Sequence, residues 1–377
     1  MITSVHIDTA KTWRGGQNQV LQLVTGLESL GHRTWLVAHS GGELKRRAQE
    51  GLRFIGFAPR SEFDVQAAWQ LSRVFRDAKP DVVHAHDPMA VALVAMALQM
   101  QNGAPTTPYI VAARRVDFHL KRHAFSRWKY KHVNMFVAAS RTIGDILEGD
   151  GITRDRITIV HDGVNVDLIQ KLDPVDARAT FWLPHGAPVI GNVAALAGHK
   201  GQRHLVAAAA RVVRAVPDAR FLIVGEGELR EPLEKQIKSL ALERHVLLTG
   251  FRADALALMK SFDLFVMSST TEGLGSAVLE AMAGGRAVVA TRAGGLPEAV
   301  DDGVTGLLVP THDEPALADA IVKLLQDATL RTAMGQAGRE RVVKEFSVEK
   351  MVKDTVAVYE RRTVRPVRRS PGEGGSS

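Results

Sequence analysis

The chain has 377 residues, of which 45% are hydrophobic and 24% are charged, and it contains no cysteine. This composition can form a large buried core, so it excludes global disorder, disulfide scaffolds, zinc–thiolate sites and cysteine nucleophiles. The length predicts two domains, and the formal net charge of +7 indicates an anionic partner.

Short apolar runs alternate with longer amphipathic stretches from the first residues onward. In the first half, the pattern predicts a helix over 17–30 and strands over 5–8, 34–38, 80–86, 109–113 and 135–138. Such an alternation is typical of a doubly wound parallel sheet. The sequence contains neither an apolar run long enough to span a bilayer nor a signal-peptide pattern at residue 1, so we expect a cytoplasmic protein.

The pattern restarts after a turn signal at Asp173-Pro174. The second series of strands is predicted over 189–193, 220–224, 246–249, 264–267 and 287–290. We therefore expect an α/β architecture in which two Rossmann-like domains, 1–170 and 171–350, face a cleft beyond the carboxyl ends of their strands. A helix over 351–364 is expected to return to the N-terminal domain, and the tail 365–377 is expected to be disordered.

The most specific segment is 269–280, which follows a predicted strand. Gly273 and Gly275 open a loop before a helix over 277–283, and a helix N-terminus behind a glycine loop can bind an anion through its free amides. Glu272 lies at the mouth of the loop and Glu280 lies inside the helix. Carboxylates of this kind can bind sugar hydroxyls, although Glu residues that only complement the helix dipole fit the physics equally well.

The spacing of these two glutamates resembles a known signature. Glu272 and Glu280 are separated by seven residues and are followed by Ala-Met-Ala-Gly-Gly over 281–285, which resembles the E-x7-E motif of retaining glycosyltransferases of family 4. The segments 293–298 and 302–310 also look like that family. The resemblance extends from about residue 1 to about residue 345. It implies the GT-B fold, an acceptor-binding N-terminal domain and a C-terminal domain that binds a nucleotide-sugar donor.

The resemblance also implies roles for single residues. Glu280 is expected to bind the ribose hydroxyls of the donor, and Glu272 the hydroxyls of its sugar. The backbone of 273–275 (Gly273, Leu274 and Gly275) is expected to hold phosphates or sugar. The segment 191–201 resembles a family loop that ends in Lys-Gly, which makes Lys200 the candidate for neutralising the diphosphate. Many members carry an arginine where this chain has Ala195, so Lys200 acts either alone or with Arg203.

Two other loops carry weaker signals. Gly15 and Gly16 follow the first strand and would let the backbone approach a donor phosphate, although a simple tight turn is an equal alternative. Arg14 beside them is a candidate for binding acceptor or phosphate. Arg252 follows a C-terminal strand and is expected near the nucleotide base, with an exposed loop arginine as the alternative.

Polar residues at the ends of two N-terminal strands are candidates for acceptor binding. His84 and His86 lie at positions i and i+2, so both side chains should point to one side of the sheet. No third ligand is apparent nearby, so we expect no metal site, and the resemblance assigns His86 to the acceptor. Arg114 and Arg115 stand where many members carry a histidine, and arginines there would pair with phosphate. This departure argues against a histidine-based mechanism.

The segment 114–132 is strongly basic. It carries seven Lys and Arg residues against one acid, Asp117, with aromatic residues interleaved. Such a mixture suits an anionic lipid surface. It also occurs in nucleic-acid-binding proteins, but no nucleic-acid motif accompanies it, so we expect no nucleic-acid partner. A plain solvated face is the remaining alternative.

Together these observations predict a retaining hexosyltransferase that uses a nucleotide sugar and needs neither cofactor nor metal. The expected acceptor is an anionic or lipid-linked glycan, such as lipopolysaccharide or another cell-envelope glycan, at the inner face of the cytoplasmic membrane. The alternatives are an epimerase or phosphorylase of the same fold and a non-catalytic nucleotide-sugar binding protein. A dehydrogenase is disfavoured because no Gly-x-Gly-x-x-Gly follows the first strand.

Overall fold

The computed structural model describes residues 1–48, 51–101 and 107–364. Two parallel β-sheets with helices around them confirm the predicted doubly wound architecture. The predicted tail 365–377 lies outside the described residues.

The N-terminal sheet has seven parallel strands in the order β3-β2-β1-β4-β5-β6-β7. Its strands are β1 Thr3–Asp8, β2 Arg33–His39, β3 Arg53–Phe57, β4 Val82–Ala85, β5 Tyr109–Arg114, β6 Met135–Ala138 and β7 Ile157–Ile159. The helices that accompany it are α1 Gly15–Ser29, α2 Glu43–Arg47, α3 Val65–Ala78, α4 Pro88–Gln99, α5 Ala124–Lys131 and α6 Arg141–Gly149.

The C-terminal sheet has six parallel strands in the order β10-β9-β8-β11-β12-β13. Helices α7 Val166–Lys171 and α8 Ala177–Thr180 precede it. The strands are β8 Val189–Val193, β9 Arg220–Val224, β10 Val246–Gly250, β11 Leu264–Met267, β12 Val288–Thr291 and β13 Gly306–Val309. The remaining helices are α9 Gln202–Ala215, α10 Arg230–Ser239, α11 Ala255–Met259, α12 Ser276–Ala283, α13 Leu296–Ala299, α14 Glu314–Gln326, α15 Ala328–Glu345 and α16 Val348–Glu360.

The predicted strands are confirmed to within a few residues, because central strands buried on both faces form apolar runs. The strands β4, β6 and β11 are buried along their whole length. Three strands at or near the edges were missed: β3, β7 and β13. These are short or only partly buried, so their sequences carry little apolar signal.

The chain crosses between the domains twice, and the two crossings lie side by side. In the first, Val164 and Val166 already pack in the core of the C-terminal domain, a few residues before the boundary predicted at 170. In the second, Ser347 forms a parallel bridge with Val164. Gln19 of α1 holds the first crossing through two hydrogen bonds of 2.9 Å to the backbone of Gly163.

After the second crossing, α16 packs on the N-terminal domain. Its residues Val352 and Tyr359 join a buried cluster with Leu23 and Leu27 of α1. The hydroxyl of Tyr359 lies 2.7 Å from Nδ1 of the buried His84. The described part of the chain therefore ends on the domain in which it began.

None of the described helices combines the length and the apolar character that a membrane span requires. The most apolar of the longer helices, α4, has 12 residues.

The close approach of α1 and α16 gives a stability prediction. A Cβ at Gly26 would lie 2.5 Å from Cγ2 of Val352, so Gly26→Ala should lower the free energy of unfolding by about 1 kcal/mol through overpacking. In a Val352→Ala background the clash is absent, and the same change should raise it by about 0.5 kcal/mol through helix propensity. Urea unfolding of the four proteins measures both values. Gly149→Ala, at a helical position with open space around it, is the control, and equal effects in the two backgrounds would contradict the prediction.

Candidate functional site

The loops after β1 and β11 bring two helix N-termini together across the cleft. The helix α1 begins at Gly15, and a Cβ on this residue would lie 3.2 Å from the Oγ of Ser276, where α12 begins. The first amides of a helix have no partner within it and carry the positive end of its dipole. The two ends together can bind an anion larger than a single phosphate.

The loop before α12 has a shape that only glycines allow. Gly275 has a φ of +90°, and a Cβ there would lie 2.5 Å from Leu296 Cδ2. A Cβ on Gly294 would lie 1.8 Å from the carbonyl oxygen of Glu272, which accepts a 3.0 Å hydrogen bond from the amide of Gly295. The segment 293–298 therefore packs against this loop and fixes its shape. The backbone of 273–275, which was predicted to bind a ligand, lies at the cleft.

Lys200 and Glu272 meet at this loop. The Nζ of Lys200 lies 2.7 Å from Oε2 of Glu272, and Ser269 Oγ donates to the same oxygen at 3.0 Å. Both side chains are largely buried, with 19% and 12% exposed. Gly201 makes this possible, because a Cβ there would lie 2.0 Å from the carbonyl oxygen of Ser268. A ligand phosphate at this point would compete with Glu272 for the ammonium group of Lys200.

Glu280 lies within α12, one turn beyond its start. Burial raises the pKa of its carboxyl to about 7, and no hydrogen bond or cation of the described chain opposes this rise. A half-buried carboxylate without partners lacks some of the donors that it needs. Ligand hydroxyls can supply those donors.

Arg115 lies on the opposite wall of the cleft. Its carbonyl oxygen would lie 2.4 Å from a Cβ at Gly273, so the two domains touch at this point. Its guanidinium pairs with Asp162, with 2.9 Å between Nε and Oδ1, and NH1 donates to Nδ1 of His86 at 3.3 Å. The structure therefore brings Arg115 and His86 together near the loop that precedes α12. Asp162 was missed, because a single acid at the end of an edge strand carries no pattern.

His86 belongs to a buried cluster that also contains His84 and His6. Nδ1 of His6 lies 3.0 Å from Nε2 of His86, and His84 stacks on His86 with 4.2 Å between ring centroids. Burial lowers the pKa of His6 to about 3 and the pKa values of the other two well below their ordinary range. The three imidazoles are therefore neutral at physiological pH.

This cluster supplies the third ligand that the sequence did not reveal. The ligand nitrogens of His6, His84 and His86 lie within 4.8 Å of one another, a separation that could hold a metal ion. Most of these nitrogens already have hydrogen-bond partners, namely Ser4, Tyr359, Arg115 and each other. His6 was missed because it lies 80 residues before His86 and reaches it only through the pairing of β1 with β4.

Three other predicted residues have surroundings of their own. Arg114 is buried and donates to the carbonyl of Phe118, because neighbouring residues on a strand face opposite sides. Arg252 forms a two-point ion pair with Asp254 and lies over the ring of Phe181. Arg14 precedes α1 and is exposed. Gly16 beside it has open space where a Cβ would stand.

The basic segment 114–132 is not one exposed surface, which corrects the prediction. Arg114 is buried, Arg115 is paired with Asp162, and the buried Lys129 Nζ lies 2.8 Å from Glu62 and 2.9 Å from the carbonyl of Pro88. The exposed cations of the segment are Lys121, Arg122, Arg127 and Lys131. The net charge of the segment overstated the number of exposed cations, because a sequence does not show which cations have structural partners.

A contact on the C-terminal side was also missed. The carboxylate of Glu298 accepts hydrogen bonds from the amides of Arg141 and Thr142 at the start of α6, and it lies 3.1 Å from Nε2 of His161. It thereby joins the C-terminal domain to a helix N-terminus of the N-terminal domain. The one sequence feature that could have pointed to Glu298 is its place in the segment 293–298, which resembles the family.

Comparison with known proteins gives the same architecture and two family matches. The profile described as "Glycosyltransferase Family 4" matches residues 13–168, and the profile "Glycosyl transferases group 1" matches residues 177–341. The chain belongs to glycosyltransferase family 4. The resemblance predicted from Glu272 and Glu280 is thereby confirmed, together with the GT-B fold.

The chain is 30% identical over 203 residues to the N-acetyl-alpha-D-glucosaminyl L-malate synthase of Bacillus anthracis. It is 35% identical over 172 residues to the lipopolysaccharide core biosynthesis glycosyltransferase LpsE of Rhizobium meliloti. These matches cover 54% and 46% of this chain and 53% and 49% of the relatives, so the chain spans about half the length of each.

A solved structure shares the fold over nearly the whole length of this family 4 chain. The crystal structure of HepE from Anabaena in complex with UDP and glucose matches with a TM-score of 0.82 and 19% sequence identity. The match covers 96% of this chain and 100% of that one.

The environment of Glu280 gives a pH prediction. Between the ordinary carboxyl pKa of 4.5 and its raised value of about 7, the folded protein keeps a proton that the unfolded chain releases. Through this group, stability falls as pH rises through this window, and Glu280→Gln should remove its contribution to the fall. Thermal unfolding of both proteins between about pH 5 and about pH 8 measures it. The control is Glu243→Gln at an exposed position, and parallel pH profiles for wild type and Glu280→Gln would contradict the assignment.

Proposed function

We propose that this protein is a retaining hexosyltransferase that moves a sugar from a nucleotide-sugar donor to a hydroxyl of a glycan acceptor. The observation that carries the proposal is the pairing of Lys200 with Glu272 beside the facing N-termini of α1 and α12. One cation, two sets of free amides and a carboxylate thus lie where a sugar diphosphate would need them. The half-buried Glu280 adds an acceptor for ribose hydroxyls.

The chemistry of these groups supports a front-face displacement. The diphosphate of the donor lies between the amides at Gly15, Gly16 and Ser276, and the Lys200 ammonium stabilises the charge that develops on it. The bond from the sugar C1 to the β-phosphate oxygen breaks, and the acceptor oxygen bonds to C1 from the same face. A phosphate oxygen takes the proton of the acceptor hydroxyl. We propose that no metal is needed, because the cation and the amides supply the positive charge.

Glu272 has a binding role in this proposal. When phosphate engages Lys200, the Glu272 carboxylate is released to bind hydroxyls of the donor sugar. Arg252, held by Asp254, is proposed to lie beside the nucleotide base. An epimerase or phosphorylase of the same fold would bind a similar ligand, and analysis of the sugar product distinguishes these reactions from transfer.

The acceptor is proposed to be an anionic or lipid-linked glycan, bound on the N-terminal wall by His86, Arg115 and Arg14. Arg115 supports this because its guanidinium contacts both Asp162 and His86, on the wall that meets Gly273. The likeness to a lipopolysaccharide core glycosyltransferase suggests a cell-envelope glycan.

We also propose that the protein acts in the cytoplasm at the inner face of the membrane. Phe118 is 61% exposed and Phe63 is 57% exposed, and Phe63 contacts Phe125 of α5 with 4.4 Å between ring centroids. These aromatic side chains lie on the same domain as the exposed cations of 114–132. Aromatic rings with neighbouring cations suit the interface of an anionic bilayer.

The donor assignment is tested with Lys200→Ala and Glu280→Ala. Glu280→Ala should weaken donor binding about tenfold or more, because a charge-assisted hydrogen bond is lost. Lys200→Ala should lower turnover about 100-fold while the protein stays folded. A thermal-shift screen with UDP, GDP and ADP sugars identifies the donor, because only a ligand of the folded state raises the melting temperature.

Two exposed positions of the C-terminal domain provide controls for this experiment. Glu243→Ala and Lys238→Ala remove the same charges at the surface and should leave donor binding and turnover unchanged. Turnover should also persist in excess EDTA. Unchanged donor affinity in Glu280→Ala would contradict the assignment of that residue, and loss of turnover with EDTA would contradict the metal-independent mechanism.

The membrane proposal is tested by flotation with vesicles. The wild type should float with vesicles of phosphatidylglycerol and phosphatidylcholine at low salt, and Phe63→Ser with Phe118→Ser should reduce the bound fraction several-fold. Trp182→Ser is the control, since Trp182 is 92% exposed on the other domain. Failure of the wild type to float would refute membrane contact.

A further inference from the structure

A cavity lies on the N-terminal domain, apart from the residues assigned to the cleft. It has a volume of about 390 Å³ and lies beside α5, between residues 120–122 and 150–156. Its lining includes none of the residues assigned above to donor or acceptor. A cavity of this size is within the range of small-molecule sites.

A larger cavity, of about 950 Å³, lies on the C-terminal domain around Trp182 and Lys260. The smaller one, called the α5 cavity below, concentrates positive charge. Its charged lining residues are Lys121, Arg122, Arg127, Lys131, Arg156 and one acid, Asp150. Five cations around one small space repel one another unless an anion lies between them.

Several of these groups are held in place by the fold. Arg156 donates from NH2 to the carbonyl of Tyr130 at 2.9 Å and also to that of Val133. Arg127 donates from NH1 to the carbonyl of Arg122 at 3.1 Å. Their guanidinium groups therefore keep their positions without a ligand, which reduces the entropy that binding would cost.

The single acid of the lining is already engaged. Asp150 accepts a 2.6 Å hydrogen bond from the amide of Leu120, and its Oδ1 lies 2.9 Å from Nδ1 of His119 and 3.7 Å from Arg122. In contrast, no carboxylate of the described chain lies within ion-pair distance of Lys121, Arg127 or Lys131. The charges of these three residues in the α5 cavity therefore have no carboxylate partner in the described chain.

We propose that the α5 cavity binds a phosphate group, carried either by a phosphorylated glycan or by a lipid headgroup. Arginines pair with phosphate oxygens through two parallel hydrogen bonds, and lysines add point charges around them. The buried Tyr130 and Ile152 form an apolar part of the lining. The inference adds an anchoring site to the proposed function and does not depend on the transfer chemistry.

The test uses the full chain and three probes: glucose 6-phosphate, glucose, and phosphatidylglycerol vesicles. Glucose 6-phosphate should bind saturably at low salt and glucose should not. The double variant Arg127→Gln with Lys131→Gln should lose about tenfold in affinity for glucose 6-phosphate. The control is Arg339→Gln with Lys344→Gln, which removes the same charge from exposed positions of the C-terminal domain and should retain wild-type affinity.

The vesicle arm identifies the source of the phosphate. Release of bound vesicles by glucose 6-phosphate would support a lipid headgroup in the α5 cavity, and sugar-phosphate binding without vesicle binding would support a phosphorylated glycan. Equal losses in the two double variants, or equal binding of glucose and its phosphate, would overturn the proposal. The melting temperature reports on folding, and the donor-induced thermal shift reports separately on the proposed transferase function.

Discussion

The cleft closes where the backbone of Gly273 meets the carbonyl oxygen of Arg115. A side chain at position 273 would push the two walls apart, because even its Cβ would lie 2.4 Å from that oxygen. Gly15 plays a similar part against the hydroxyl of Ser276. Since backbone meets backbone here, the amides of α1 and α12 can face one ligand, and Arg115 stands beside the loop that carries Glu272.

The charged groups around this contact differ in how the protein satisfies them. Glu272 has Lys200 and Ser269 as partners, so its charge is stabilised without a ligand. Glu280 is half-buried without such partners among the described residues, and the pKa of its carboxyl rises to about 7. In the proposed function, donor binding would replace the contact of Glu272 with Lys200, and it would give Glu280 the hydrogen-bond donors that it lacks. Two carboxylates in one short segment are thereby suited to different tasks by their surroundings alone.

The sequence was informative where a function or a core requires a local pattern. Buried central strands form apolar runs, and the loop before α12 needs glycines next to its glutamates, so both could be predicted. His6 and Asp162 could not, because they contact His86 and Arg115 only through the folding together of distant parts of the chain. Arg114 illustrates a missed rule: strand alternation alone separates it from Arg115. Cations with structural partners, such as Lys129, also look the same in sequence as free ones.

The paired crossings between the domains have a mechanical consequence. Val164 and Ser347 are bridged, and Gly163 is so close to Val348 that a Cβ would lie 2.8 Å from its Cα. Two covalent connections at one place act as a single hinge. The domains can rotate about this hinge, but the two connections oppose sliding and twisting of the domains there. Opening of the cleft would therefore be greatest at the end far from this hinge. Any movement would also carry α16 along with the N-terminal domain, because that helix is packed into its core.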